Sequence, residues 1–210
     1  MKDLITIGLP SKGRLKDKAI SFFNDKGHKI LLSEKERNYF GTIEKKSNIK
    51  IIFLHAKEII QRLGDGTLDI GVSGLDLLKE SDKNLQNKIN VQKKLDFGNA
   101  NLVIAVPDDW IDVQTIADLE EVSFDIRFKR NSRLRVATKY PNLTNDFLSS
   151  KGVTQYKLIT SLGATETYPF IGSSEIITDI TSTGKTLADN NLRVLKDGLI
   201  LSSKACLFIA

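Results

Sequence analysis

Cysteine, tryptophan and histidine are scarce here: the 210 residues hold one, one and two of them. The single thiol, Cys206, excludes an intramolecular disulfide, and its neighbours ACLFIA predict a strand that packs it away from solvent. That usage fits a reducing compartment, so a cytoplasmic protein is expected. Two histidines and one cysteine are too few for a zinc cage, and no metal held by side chains alone is expected. No apolar run approaches the roughly 20 residues that cross a bilayer, which argues against a membrane partner. The opening MKDLITIGLPSKGR has only a short apolar segment before polar and basic residues, so it reads as a first strand and not a signal peptide. No block of lysines and arginines interleaved with aromatics is extended enough to argue for nucleic acid.

What is present describes an ordinary globular chain. Hydrophobic residues make up 40% and charged residues 27%, enough apolar material for a real core. The net charge of +5 is spread thinly, in pairs such as Lys45-Lys46 and Lys93-Lys94. Such an excess suits a small polyphosphorylated ligand. Short β-like runs alternate with helical patterns. LITIGLP (4–10), IKIIFL (49–54) and LDIGVSG (68–74) read as strands, with helices after the first two whose apolar residues share one face. Ser11 is expected to cap the first helix. ANLVIAVP (100–107), LRVATKY (134–140), QYKLITS (155–161) and SEIITDIT (174–181) repeat the pattern, with a helix at NLTNDFLSSKG closed by Gly152. The alternation predicts an α/β protein with parallel sheets covered on both faces. Two lobes are expected, the first from 1–94 with 191–210 and the second from 95–190. A turn is expected at Lys196-Asp197-Gly198.

Three stretches carry chemistry. ITDITSTGKT (177–186) ends on the Gly184-Lys185-Thr186 of a nucleotide-binding P-loop, but the first glycine of that motif falls on Asp179. A strand running into Ser182, Thr183, Gly184 and Thr186 at a helix start instead predicts a nest of N–H groups and hydroxyls for an anion. Glu175 and Asp179, four apart in a strand, project to one side. A carboxylate before a phosphate nest suits a ribose 5-phosphate, its hydroxyls donating to Asp179. The same stretch also fits a polar turn with a solvated aspartate. In GLPSKGRLKD (8–17), Lys12, Gly13 and Arg14 stand at a strand end and helix start, where two cations oppose the macrodipole. In LDIGVSGLDLL (68–78), Gly71 and Gly74 permit close backbone approach, of a ligand or of a tight strand–helix junction.

Together these stretches resemble the catalytic subunit of ATP phosphoribosyltransferase in its short form. The resemblance runs in order through LPSKGRL (9–15), GTLDIGVSGLDLL (66–78), LDFGNANLVIAVP (95–107), VATKYPNLT (136–144), SLGATE (161–166) and DITSTGKTL (179–187). It implies two α/β lobes like the type II periplasmic-binding-protein fold, with the active site in the cleft between them. It also implies transfer of a phosphoribosyl group from phosphoribosyl pyrophosphate to N1 of ATP, the first step of histidine biosynthesis, with Mg²⁺ carried by the substrates. Ser182, Thr183, Gly184 and Thr186 would hold the 5-phosphate, and Asp179, with Glu175 behind it, the ribose hydroxyls. Lys12 and Arg14 would be the catalytic cations. Gly13, Gly71, Gly74 and Glu166 would contact ATP or pyrophosphate. Many relatives carry an arginine after the strand at 51–54. Here FLHAKEI places His55 or Ala56 near that position, and Arg37 in ERNYFG is the expected replacement. The implied partners are ATP, phosphoribosyl pyrophosphate and a regulatory subunit resembling histidyl-tRNA synthetase, with a homodimer as the building block. A non-catalytic two-lobed module that binds or senses a small anion is the alternative.

Overall fold

The computed structural model describes residues 4–32 and 39–210. The chain begins with β1 (Ile5–Pro10), α1 (Gly13–Asp25), β2 (Ile30–Leu32), β3 (Phe40–Ile43) and β4 (Lys46–Leu54). α2 (Ala56–Gly64), β5 (Ile70–Gly74), α3 (Leu75–Glu80), α4 (Lys83–Gln86) and β6 (Asn90–Lys94) follow. Then come β7 (Ala100–Pro107), α5 (Ile116–Arg130), β8 (Leu134–Thr138), α6 (Pro141–Ser150), β9 (Tyr156–Thr160) and a 3-10 turn at Thr165–Thr167. β10 (Ile176–Thr181), α7 (Lys185–Asp189), β11 (Leu192–Ser203) and β12 (Ala205–Ile209) complete it.

Two compact units result, residues 1–99 with 203–210 and residues 100–202. The first has a seven-stranded sheet ordered β2-β3-β4-β1-β5-β12-β6. β4, β1 and β5 are parallel, whereas β12 runs antiparallel to both β5 and β6. Alternation along β12 shows why its sequence is apolar throughout. Ala205 and Leu207 pack with Ala19 and Phe23 of α1, while Cys206 and Phe208 pack with Ile59 and Leu63 of α2. Cys206 is thus a core thiol, and burial pushes its pKa up.

The second unit has a five-stranded sheet ordered β11-β7-β10-β8-β9. β10, β8 and β9 are parallel and β7 is antiparallel to β10. Ile104, Val136 and Ile176 face α5 and α6, where they meet Ile116, Leu119 and Leu148. Val103, Ala137 and Ile177 face the opposite way, toward Leu187 of α7. Both sheets are therefore mixed, where apolar alternation predicted parallel ones; a strand buried on both faces reads the same in either direction.

The C-terminal segment departs most from expectation. The boundary falls after Asn99 and Ser202, so β11 lies in the second unit and only β12 returns to the first. Lys196-Asp197-Gly198 is no turn, since β11 runs through it. Asp197 Oδ1 accepts the Ile116 N–H at 2.8 Å, supplying an orphan donor at the start of α5. A side chain on Gly198 would meet the Ile104 carbonyl oxygen at 3.1 Å. Helix α5 itself lacks a clean apolar stripe, with Phe124 and Phe128 stacked on its outer side. Its N-terminus is nevertheless marked by a capping box of Thr115 and Asp118. Ser11 does not cap α1; the N-cap is Lys12, with no side-chain hydrogen bond. Among the described residues no helix is long and apolar enough to cross a membrane.

In urea denaturation, Asp197→Ala is expected to lose about 1 kcal/mol of stability and Asp197→Asn clearly less, because asparagine keeps the acceptor for the Ile116 N–H.

Candidate functional site

In the second unit, β8, β9 and β10 are parallel, so their C-terminal ends open on the same edge, where α/β sheets bind ligands. β10 stays paired with β7 as far as Thr181. The chain then turns through exposed Ser182 and Thr183 to Gly184, whose φ of 75° is a left-handed conformation natural to glycine. Two hydroxyls shape the turn: Thr181 Oγ1 accepts the Gly184 N–H at 2.8 Å and Thr183 Oγ1 the Lys185 N–H at 3.3 Å. The N–H groups of Ser182, Thr183 and Thr186 find no acceptor among the described residues. They remain available to an anion, beside the exposed hydroxyls of the same residues. Because α7 has only five residues, its macrodipole is slight, and the N–H groups of the turn itself are the main donors it presents.

Asp179 is half-buried in β10, with Oδ1 accepting the Ile180 N–H at 2.8 Å. Burial pushes its carboxyl pKa up. The Ile180 N–H and the positive charge of Lys139 work against that rise, and the nearby Glu166 carboxylate adds to it. Three charged groups therefore meet at one strand end: Asp179 from β10, Lys139 directly after β8, and Glu166 on the 3-10 turn after β9. The run LRVATKY hides Lys139 inside an expected strand, but the strand stops at Thr138 and leaves Lys139 at its end.

Glu175 is not brought to this group. It precedes β10 and lies at the opposite end of the strand, about 13 Å from Asp179 at ordinary strand rise. Its carboxylate is committed to Arg135. Nε and Nη2 of that guanidinium donate at 3.1 and 2.7 Å to Oε1, and the Arg135 backbone N–H donates at 2.7 Å to Oε2. Burial raises the Glu175 pKa, but the Arg135 hydrogen bonds and charge outweigh it and hold the carboxyl below its usual value. A four-residue spacing keeps side chains on one face without keeping them close.

In the first unit, Lys12, Gly13 and Arg14 form an exposed strand-to-helix turn, with Gly13 at φ 65°. No acidic residue enters the first turn of α1, so its N-terminal donors and both cations are uncompensated within the helix. Gly71 and Gly74 are accounted for by packing. A side chain at Gly71 would meet Ile59 Cγ2 at 2.6 Å, and one at Gly74 would meet Asp76 Oδ1 at 2.3 Å. His55 is the N-cap of α2, its Nδ1 accepting the Lys57 N–H at 3.3 Å. Arg37 lies outside the described residues.

A family model described as HisG: ATP phosphoribosyltransferase matches residues 55–210. The chain is 46% identical over 207 residues to an ATP phosphoribosyltransferase of Brucella melitensis, covering 98% of this chain and 90% of that protein. Among solved structures it is similar to an ATP phosphoribosyl transferase (HisG:HisZ) complex from Thermotoga maritima. There the TM-score is 0.73 and the identity 25%, over 98% of this chain and 87% of the other. An ancestral arginine-binding protein bound to glutamine shares the fold at a TM-score of 0.53 and 11% identity, over 100% of this chain and 84% of that one.

Because the folded pKa of Glu175 is depressed, its stabilisation is complete above the unfolded value near 4.3 and fades as pH falls through the folded value. Glu175→Gln is therefore expected to cost about 1–2 kcal/mol near neutral pH, less than a fully buried pair because Arg135 is partly exposed. Urea denaturation should show the gap to wild type narrowing on acidification.

Proposed function

The chain belongs to the ATP phosphoribosyltransferase family, and on that premise we propose how its residues divide the work. The reaction is the first step of histidine biosynthesis. The bond from the anomeric carbon to pyrophosphate breaks, a bond to N1 of ATP forms, and pyrophosphate leaves. Displacement at an anomeric carbon passes through an oxocarbenium-like state and needs no protein nucleophile. Orientation of the two reactants can contribute about 7–11 kcal/mol, and each donor or cation aimed at the leaving group about 3–4 kcal/mol.

In this reading the turn 182–186 holds the 5-phosphate through the N–H groups of Ser182, Thr183 and Thr186 and their hydroxyls, with Gly184 allowing close approach. Asp179 accepts the ribose hydroxyls. Glu166 and Lys139 flank it, Lys139 adding positive charge toward the phosphates. Lys12 and Arg14, at the open start of α1, are the cations for pyrophosphate or the triphosphate, with the Gly13 backbone beside them. Glu175, engaged by Arg135, supports the start of the strand. The observation that carries this reading is a half-buried carboxylate one strand-end away from three N–H groups with no acceptor.

ATP and phosphoribosyl pyrophosphate are substrates of a family for which Mg²⁺ is expected. A hard cation that keeps its waters suits one or two carboxylates together with substrate phosphates. Asp179 and Glu166, close enough to feel each other's charge, fit that donor set. Such a cation would neutralise charge on the departing pyrophosphate. The Thermotoga relative is a HisG:HisZ complex. By extension this chain works as a hetero-oligomer with a regulatory subunit, built on a homodimer, in the cytoplasm.

Mixing the protein with ATP, phosphoribosyl pyrophosphate and Mg²⁺ should release pyrophosphate and shift the adenine absorbance, and formation of ADP would refute the assignment. Calorimetry with phosphoribosyl pyrophosphate should show Asp179→Asn binding at least about tenfold more weakly, the loss of hydrogen bonds to a charged acceptor. The raised pKa of Asp179 gives a sign to the pH dependence. Wild-type affinity should fall on acidification before an ordinary aspartate titrates, and that component should be missing in Asp179→Asn. Stability moves oppositely, since a carboxyl whose folded pKa is raised loses stability as pH rises through that value. Asp179→Asn should therefore melt no lower than wild type near neutral pH.

A further inference from the structure

Beneath the charged cluster lies a polar layer that the chemistry above does not use. Thr138, Thr144 and Thr178 are fully buried, and their hydroxyls form a closed triangle. Thr178 Oγ1 donates to Thr138 Oγ1 at 2.5 Å, Thr138 and Thr144 are 3.1 Å apart, and Thr144 and Thr178 are 2.8 Å apart. Each hydroxyl has one proton. With Thr178 donating to Thr138, the triangle closes only if Thr138 donates to Thr144 and Thr144 to Thr178. Every proton is then used, and the spare lone pair of Thr138 accepts the Tyr140 N–H at 2.9 Å.

We propose that this hydroxyl triangle is a positioning device that sets Lys139 and Asp179 for recognition of the sugar, a role that rests on the reading of Asp179 given above. Thr138 and Thr178 are register partners in β8 and β10, and each immediately precedes one of the two charged residues. Alternation turns the threonines toward α6 and sends the next side chains to the opposite face, where Lys139 and Asp179 interact. The Tyr140 N–H on Thr138 closes the backbone around Lys139, so that residue is clamped on both sides. Thr144, early in α6, ties the helix to both strand ends. A second hydroxyl pair continues the layer: Ser161 Oγ and Thr165 Oγ1 are 2.9 Å apart beside Glu166, and the Ser161 N–H donates to the Thr138 carbonyl at 2.9 Å.

Valine has the shape of threonine and would fill the same space while burying more apolar surface. A polar ring in that place costs desolvation, and what it adds is direction, because mutually polarised hydrogen bonds fix one arrangement of the elements they join. Packing alone would leave the strand ends free to settle by small shifts, to which sugar recognition is sensitive.

The test separates hydroxyl from methyl. Thr178→Val keeps the shape and breaks the ring; Thr178→Ser keeps the ring and loses a core methyl group. Binding of phosphoribosyl pyrophosphate is measured by calorimetry and stability by thermal melting. Thr178→Val is expected to bind about tenfold more weakly while melting no lower than Thr178→Ser. Thr178→Ser is expected to melt lower yet bind as wild type. Equal weakening in both variants, or unchanged binding in Thr178→Val beside a weakened Asp179→Asn, overturns the triangle's role alone. Unchanged binding in Asp179→Asn removes the sugar-binding reading and this proposal with it. Should Thr178→Val fail to fold, Thr144→Val breaks the same ring from the helix side and is read by the same criteria.

Discussion

The parallel register that pairs Thr138 with Thr178 decides what this edge of the second unit can do. Because side chains alternate, that one pairing places two hydroxyls on the α6 face and their successors, Lys139 and Asp179, together on the other. A slip of one residue would send the charges into the apolar layer around Ile176 and Val136 and expose the threonines. The apolar residues flanking the pair, Val136 with Ile176 and Ala137 with Ile177, hold it in place from both faces. Core packing and site geometry are therefore one constraint, enforced by the same short stretch of sheet.

Two carboxylates four residues apart show how differently one strand can treat the same chemistry. Glu175 meets a guanidinium fork and a backbone donor, so its charge is favoured in the folded state. Asp179 is more deeply desolvated by the sheet, receives one backbone donor, and faces another carboxylate as well as a lysine. The first supports the fold. The second works against it near neutral pH, and an under-satisfied acceptor of this kind is what a polar ligand can complete.

The fold was largely legible. Strands β1, β4, β5, β7, β8, β9 and β10 follow from apolar runs bounded by turn residues, α1 and α2 from one-sided periodicity, and α6 from a helical stretch closed by Gly152. What escaped has physical causes. α5 buries residues on one side while carrying Phe124 and Phe128 outside, so its stripe is blurred, although Thr115 and Asp118 announce its start. Lys196-Asp197-Gly198 has the composition of a turn, but Asp197 is engaged by α5 and Gly198 by the Ile104 carbonyl. The turn at 182–186 and the place of Asp179 in the strand before it were legible because glycine and hydroxyls follow directly on an apolar strand. The separation of Glu175 from Asp179 and its pairing with Arg135 were not legible, because face parity carries no information on distance. Gly71 and Gly74 show the reverse ambiguity, since close approach to a ligand and close approach to Ile59 or Asp76 demand the same residue.

The Gly184-Lys185-Thr186 tripeptide illustrates how far a motif depends on the backbone beneath it. A P-loop leaves its strand early, and the loop then wraps a polyphosphate with a long succession of N–H groups. Here β10 keeps its pairing with β7 through Thr181, so position 179 is held in the sheet and cannot join a loop. Gly184 spends its N–H on Thr181 and Lys185 its own on Thr183, leaving donors only at 182, 183 and 186. Three donors and three hydroxyls match the oxygens of one terminal phosphate, not a chain of them. In the proposed reading Asp179, retained by the sheet, takes the sugar hydroxyls. In the same reading this turn takes the monophosphate end of the ligand, and the polyphosphate falls to cations elsewhere in the chain.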